Sequence, residues 1–217
     1  MLTHASLVAL LDRHAPYLPL ALCPAVHAWQ AHTELDAWEA LEAAAGTRLP
    51  PPFYACAWPG SHALAAALER GVLNVRGQVV ADVGCGSGVA SVAAARQGAA
   101  RVQALDVDPL AGAAALELAR RHGVVLSARA GDVLADPALV GDARTILAGD
   151  FLYGSAAVDR GRDVVAAWKG QGRRVVIADA GRPFFRPDGL ALAWEGEVEC
   201  AGSIEGTTRR RVRIWEG

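Results

Sequence analysis

Val79-Val80-Ala81-Asp82-Val83-Gly84-Cys85-Gly86-Ser87-Gly88 is the stretch from which the rest of the chain can be read. An apolar, valine-rich run of strand length breaks into three alternating glycines, and an alanine-rich helical pattern follows at once. Glycine has no Cβ, so such a turn lets a ligand approach bare backbone N–H groups at the head of a helix. The dinucleotide fingerprint places its third glycine three residues after the second. Val89 occupies that position here and the third glycine is Gly88, so the turn has the form acid-x-Gly-x-Gly-x-Gly with Asp82 leading.

Downstream, Val102-Gln103-Ala104-Leu105-Asp106-Val107-Asp108-Pro109 is a second strand ending in a carboxylate. Asp106 at that place can accept both hydroxyls of a ribose, with Val107 beside it. The third strand finishes at Ala130-Gly131-Asp132-Val133, where Asp132 can accept an adenine amino group while Val133 packs on the ring. Each acid taken alone is equally a helix N-cap or a turn former. Three in register at consecutive strand ends are far more specific. The fourth strand runs out at Leu147-Ala148-Gly149-Asp150-Phe151-Leu152-Tyr153, on the carboxyl edge where open α/β sheets bind ligands, and this is the candidate substrate edge.

Around these motifs the pattern alternates. Helices are expected over 61–70, 89–97, 110–122 and 156–169, and strands over 78–83, 102–106, 124–130, 144–149 and 173–179. The tail differs, because 190–199 and 207–215 alternate apolar and polar residues across a turn containing Gly206, which reads as an antiparallel hairpin at one sheet edge. The fold class is therefore α/β, a Rossmann-like doubly wound sheet of seven strands with a C-terminal antiparallel hairpin. Residues 1–50 carry apolar positions at helical spacing with breaks at Pro16, Pro19 and Pro24. They form an N-terminal helical extension, a helical or partly extended prelude, bounded by Gly46 and Pro50-Pro51-Pro52 from the main domain at 51–217.

Composition narrows the function. Of 217 residues, 53% are hydrophobic and 20% charged, ample for a sizeable core and contrary to extensive disorder. A net charge of -2 and a pI near 6.3 supply no basic field for a polyanion, which lowers the prior for nucleic-acid substrates. Cys23, Cys56, Cys85 and Cys200 show neither zinc-site nor redox-pair spacing, and the six histidines do not cluster, so no metal is expected. The apolar run Leu7 to Leu11 is too short for a signal peptide core or a membrane span, so a cytoplasmic protein without membrane partners is expected. Arg209-Arg210-Arg211 with Arg213 reads as a solvated edge-strand device, with an acidic protein partner as the less favoured reading.

The ordered segments resemble the seven-β-strand, or class I, S-adenosylmethionine-dependent protein lysine methyltransferases, most closely the electron transfer flavoprotein β-subunit lysine methyltransferase group and its bacterial relatives. The anchors are Pro51-Pro52-Phe53-Tyr54-Ala55-Cys56-Ala57-Trp58-Pro59-Gly60, Asp106-Val107-Asp108-Pro109, Gly149-Asp150-Phe151-Leu152-Tyr153 and Asp179-Ala180-Gly181-Arg182-Pro183. The resemblance implies S-adenosyl-L-methionine as cofactor, held by Trp58, Gly60, Asp82, Gly84, Gly86, Gly88, Asp106, Val107, Asp132 and Val133. It implies a protein substrate, with the electron transfer flavoprotein β-subunit as one candidate, whose lysine meets Asp150 and Tyr153. Asp150 is expected to orient the amine first and to accept its proton second. The pattern departs from the family at Gly154, where an acid often follows the tyrosine, and at Ala180, where proline is usual. The Asn-Pro-Pro-Tyr of DNA and glutamine amide methyltransferases is absent from the fourth strand end, and Pro51-Pro52-Phe53-Tyr54 mimics it without following a strand. Two alternatives stay open: a small-molecule N- or O-methyltransferase, favoured if the N-terminal helices close over the site as a lid, and a non-catalytic cofactor-binding interaction protein.

Overall fold

The computed structural model describes residues 2–152, 155–183, 185–200 and 206–217. The chain begins with α1 (His4–His14), whose N-cap Thr3 accepts from the Ser6 N–H at 3.1 Å, and whose Leu7 and Leu11 point inward. Pro16 then ends helical structure. Residues 3–49 read as a helical or partly extended prelude, and it is the extended course that follows α1: β1 (Tyr17–Leu20) and β2 (Cys23–Trp29) pair antiparallel, and only then does α2 (Glu34–Ala45) resume helix. The prolines explain this course, since each lacks the N–H a helix needs and biases the preceding residue toward extended backbone.

This N-terminal segment is fastened to the rest of the molecule. Leu11, Leu20, Val26, Trp29 and Leu41 share one buried cluster with the apolar face of α3 (Pro59–Glu69) and with α4 (Val89–Arg96) and α5 (Pro109–Arg121). At the end of α5, the Arg121 guanidinium lies 4.8 Å from the Tyr17 ring centre and 4.9 Å from that of Trp29. It also pairs with Asp12 at 2.7 Å and Glu117 at 2.9 Å, and Asp12 in turn accepts from the Trp29 indole N–H at 2.9 Å. The neighbouring His122 ring nitrogen sits 2.8 Å from the His27 carbonyl oxygen.

Seven strands form the main sheet: β3 (Val79–Val83), β4 (Arg101–Asp106), β5 (Ser127–Ala130), β6 (Thr145–Gly149), β7 (Arg174–Asp179), β8 (Ala191–Glu199) and β9 (Arg209–Glu216). Their order is β5-β4-β3-β6-β7-β9-β8, with the first five parallel and β9 inserted antiparallel between β7 and β8. The doubly wound sheet and its C-terminal hairpin match the sequence reading. Alternate residues of one strand serve opposite faces: Val176 packs toward α3 and α4, while Val175 and Ile177 pack toward α6 (Ser155–Gly170). Strand β5 starts three residues later than its apolar run suggests, and Val125 in that run is 90% exposed. Chain order reverses between β3 and β6, which opens a crevice at their carboxyl ends.

Because Leu11 belongs to the same buried cluster as α3 and α4, Leu11→Ala should destabilise the whole molecule by about 2–5 kcal/mol. Urea unfolding followed by far-ultraviolet circular dichroism and by tryptophan fluorescence checks this. Both probes should move together, and an early transition of the N-terminal segment alone would contradict it.

Candidate active site

A cavity of about 850 Å³ occupies that crevice. One wall is the glycine turn, where Gly84, Gly86 and Gly88 have φ of 65°, 52° and 83°, in the left-handed region that disfavours a side chain. A Cβ on Gly84 would lie 3.1 Å from the Phe151 ring, and one on Gly88 only 2.7 Å from the Cβ of Ala115. Gly84 and Gly86 therefore present backbone to the cavity. Gly88 instead lets α4 close onto α5 and is not part of the wall.

Asp106, at the end of β4, stabilises this turn. One carboxylate oxygen accepts from the Gly86 N–H at 2.9 Å and the other from the Asp108 N–H at 3.0 Å, and each oxygen keeps a further lone pair. Asp108 caps α5 by accepting from Leu110 N–H at 2.8 Å, and Pro109 fills the first helical position. Asp106, Val107, Asp132 and Val133 all line the cavity as the sequence suggested. Val133 is buried and Val107 is 68% exposed, which gives two apolar surfaces beside the two carboxylates.

Asp82 lies elsewhere. It is 2% exposed, outside the cavity wall, and accepts from the Ser91 hydroxyl at 2.6 Å. Its carboxylate ties the end of β3 to α4, and it lies opposite Ala104, two residues short of the strand end at which Asp106 stands. Gly60 is also outside the wall. A Cβ there would lie 2.6 Å from the Asp150 N and 2.9 Å from the Ala178 carbonyl oxygen, so its role is to let α3 press onto the ends of β6 and β7.

Asp150 is the one described non-glycine residue with positive φ, at 51°. Its backbone N–H donates to Ala178 at 2.9 Å, and its side-chain Oδ2 accepts from the Gly60 N–H at 2.5 Å. The Arg182 Nε stands 3.5 Å from Oδ1. A carboxylate at the first turn of α3 is favoured by the helix dipole. Asp179 accepts from the N–H groups of Gly181 at 2.8 Å and Arg182 at 3.1 Å, which fixes the turn that carries Arg182. Tyr153 lies outside the described residues.

Aromatic rings complete the wall. Trp58 donates its indole N–H to the Phe53 carbonyl oxygen at 2.7 Å, with the two rings edge to face at 5.5 Å. Tyr54 is buried beside them, and burial together with the charge of Asp108 pushes its hydroxyl above the ordinary tyrosine range. Phe53, Tyr54, Phe151 and Arg182 line the cavity although sequence reasoning assigned them no role. Their signal was their position inside the same segments that carry Trp58, Asp150 and Asp179. Among the described residues, no group of three or more His, Cys, Asp or Glu side chains could hold a metal ion.

Comparison with known proteins bears on this geometry. The pattern of the ribosomal protein L11 methyltransferase (PrmA) family matches residues 62–135, which hold the glycine turn, Asp106 and Asp132. The electron transfer flavoprotein beta subunit lysine methyltransferase of Xenopus laevis is 34% identical over 140 residues, 62% of this chain and 54% of that protein. The ribosomal protein L11 methyltransferase of Symbiobacterium thermophilum is 41% identical over 116 residues, 52% of this chain and 37% of that one. This chain carries a PrmA-like class I methyltransferase domain. It spans about half the length of the lysine methyltransferases it matches. The fold of the magnesium protoporphyrin IX methyltransferase of Synechocystis superposes with a TM-score of 0.51 at 20% identity, covering 72% of this chain and 76% of that one.

In this methyltransferase domain two buried groups titrate in opposite senses. Burial pushes Asp82 up to about 7 from 3.8, against the opposing hydrogen bond from Ser91. The folded protein then holds that proton more tightly than the unfolded chain, so the stabilisation is complete below 3.8 and is lost as pH rises through about 7. Burial pulls His62 of α3 down to about 4 from 6.5, and its neutral Nε2 accepts from the Leu22 N–H at 3.1 Å. That contribution is complete above 6.5 and is lost as pH falls toward 4. Asp82→Asn keeps an acceptor for Ser91 and removes the first titration. Relative to wild type, it should gain stability by a few kcal/mol between about pH 4 and pH 8 in urea titrations, and an unchanged difference across that range would refute the assignment.

Proposed function

We propose that the chain transfers methyl groups from S-adenosylmethionine to a lysine side chain of a protein. The observation that carries this reading is one cavity in which the carboxylates of Asp106 and Asp132 at the strand ends continue into the ring-lined space of Trp58, Phe53, Tyr54 and Phe151. The names of the relatives support a protein acceptor, and the electron transfer flavoprotein β-subunit is one candidate.

The residues present fit the cofactor. A Cβ at Gly86 would meet only the Phe53 carbonyl oxygen, at 4.0 Å, so the turn leaves room for a ligand against its backbone. Asp106 retains acceptor capacity for ribose hydroxyls, Asp132 can accept from the adenine amino group, and Val107 and Val133 flank the ring. When bound, S-adenosylmethionine supplies a methyl group on a positively charged sulfur. The chain's own contribution is to align and to desolvate. A lysine amine must be neutral to act as a nucleophile, and an apolar, aromatic lining lowers its pKa from about 10.4. The ring faces also favour cationic groups. Asp150 acts as a positioning group, because its carboxylate is directed at the Gly60 N–H and Arg182 and holds α3, with Trp58 at its head, against the ends of β6 and β7.

The small-molecule reading called for a lid of N-terminal helices. Among the described residues the wall takes Leu49, Pro50 and Pro51 from the segment after α2 and none from α1 or α2, which favours the protein acceptor. No helix among the described residues is long and apolar enough to cross a membrane.

Radiolabelled S-adenosylmethionine and native cell extract test the proposal. Wild type should label a discrete protein band. Asp106→Ala should abolish the band and weaken cofactor binding by about a hundredfold, as expected for losing two hydrogen bonds to a charged acceptor. Label that appears in a soluble metabolite, with no protein band, would transfer the assignment to a small-molecule enzyme. For Asp150, replacement by Ala should lower kcat by at least about tenfold with cofactor affinity nearly unchanged. Asp150→Asn should recover most of that loss, since the amide oxygen still accepts from Gly60; failure of this rescue would point to a base instead.

A further inference from the structure

A second concavity, of about 490 Å³, lies between the turn that follows β7 and the β8–β9 hairpin. Among the described residues its lining holds five arginines, Arg182, Arg209, Arg210, Arg211 and Arg213, and one acid, Asp179. The Asp179 carboxylate is directed at the N–H groups of its own turn. Arg182 belongs to the wall of this groove and to the wall of the active-site cavity, so the two are adjacent.

The arginines of β9 stand directly across from glutamates of β8, in the register Arg209↔Glu199, Arg211↔Glu197 and Arg213↔Glu195. Of these three pairs, all among the described residues, Arg213 with Glu195 is the close one. Arg209 is 3.8 Å from Glu199 and 3.9 Å from Glu197, and Arg211 is 3.8 Å from Glu195. The side chains of Arg209 and Arg211 are 66% and 64% exposed. Exposed pairs at this separation contribute about 0–1 kcal/mol, so incoming carboxylates can take the guanidinium groups over with little loss. The planar guanidinium fork binds a carboxylate through two parallel hydrogen bonds.

We propose that this groove docks an acidic segment of the protein that is methylated, next to the lysine that enters the cavity. A short run of Asp or Glu side chains matches discrete forks on a small concave surface. A nucleic-acid strand fits it less well, because a phosphate backbone continuing past the groove meets the interleaved glutamates of β8 on a chain of net charge -2. That the docked segment belongs to the methyl acceptor rests on the function proposed above; the groove's preference for acidic peptide does not.

The test is fluorescence anisotropy of a fluorescein-labelled deca-glutamate peptide with the whole chain. Wild type should bind it saturably, more weakly as salt rises from about 50 to about 300 mM. The exposed double replacement Arg209→Gln with Arg211→Gln should weaken binding at least tenfold, with cofactor affinity retained as evidence of an intact fold. No saturable binding, or equal binding by the double variant, overturns the proposal. So does tighter binding of a labelled ten-nucleotide single-stranded RNA at the same salt. In the extract assay the double variant should raise KM for the labelled protein about tenfold at constant kcat, and unchanged labelling also overturns the docking role. If wild type labels no protein at all, the function reading fails while the peptide result still judges the groove.

Discussion

The molecule turns on one short contact, the Gly60 N–H donated to the carboxylate of Asp150 at 2.5 Å. It joins the start of α3 to the end of β6, and the backbone N–H of Asp150 extends the junction to β7 through Ala178. The approach is so close that neither Gly60 nor Gly149 has room for a Cβ; one on Gly149 would lie 2.7 Å from the Ser61 N. Asp150 accepts left-handed backbone to make the contact. Backbone strain of this kind persists where the surroundings over-determine it. Here they do so from three sides: the helix dipole, the Ala178 carbonyl and the Arg182 guanidinium. Trp58 and the Phe53–Ala55 turn inherit their places from α3, so the aromatic half of the cavity depends on this bond.

A second junction, at the other end of α5, has a different purpose. The loop between β4 and α5 contributes Val107 and Asp108 to the cavity, while the last turn of α5 carries Arg121 between the Tyr17 and Trp29 rings. This wall of the cavity and the N-terminal hairpin are thus at two ends of one helix. Glu117 and Asp12 neutralise Arg121 there, so the cation meets the rings without an unpaired charge. The N-terminal segment completes the core that the sheet leaves open on the face of α3 to α5.

The fold was largely legible because its signals are local. Five apolar runs ending at Gly or Asp, three of them followed by a helical pattern, permit little besides a parallel sheet wound on both faces. The first fifty residues, read as helical or partly extended, are extended at 17–29 for a local reason too: Pro16, Pro19 and Pro24 outweigh the apolar spacing. In the site, Asp106, Val107, Asp132 and Val133 were readable because a residue at a strand's carboxyl end can hardly avoid the crevice. Asp82 was not: in register it lies opposite Ala104, two residues short of Asp106 on the same face, where its carboxylate is buried against Ser91 beneath the glycine turn.

By itself, the sequence determined the order of strands and helices, the backbone-only character of the glycine turn and the placing of two carboxylates, Asp106 and Asp132, at strand ends that face the crevice. Each of these follows from a residue's own conformational limits and its distance from the end of a strand. Only the tertiary structure decided where Asp150 directs its carboxylate, which rings enclose the cavity, and that the arginines of β9 gather around a groove adjoining it through Arg182. The contacts concerned join residues far apart in the chain, ninety positions between Gly60 and Asp150, and no local pattern encodes the direction in which two such elements meet.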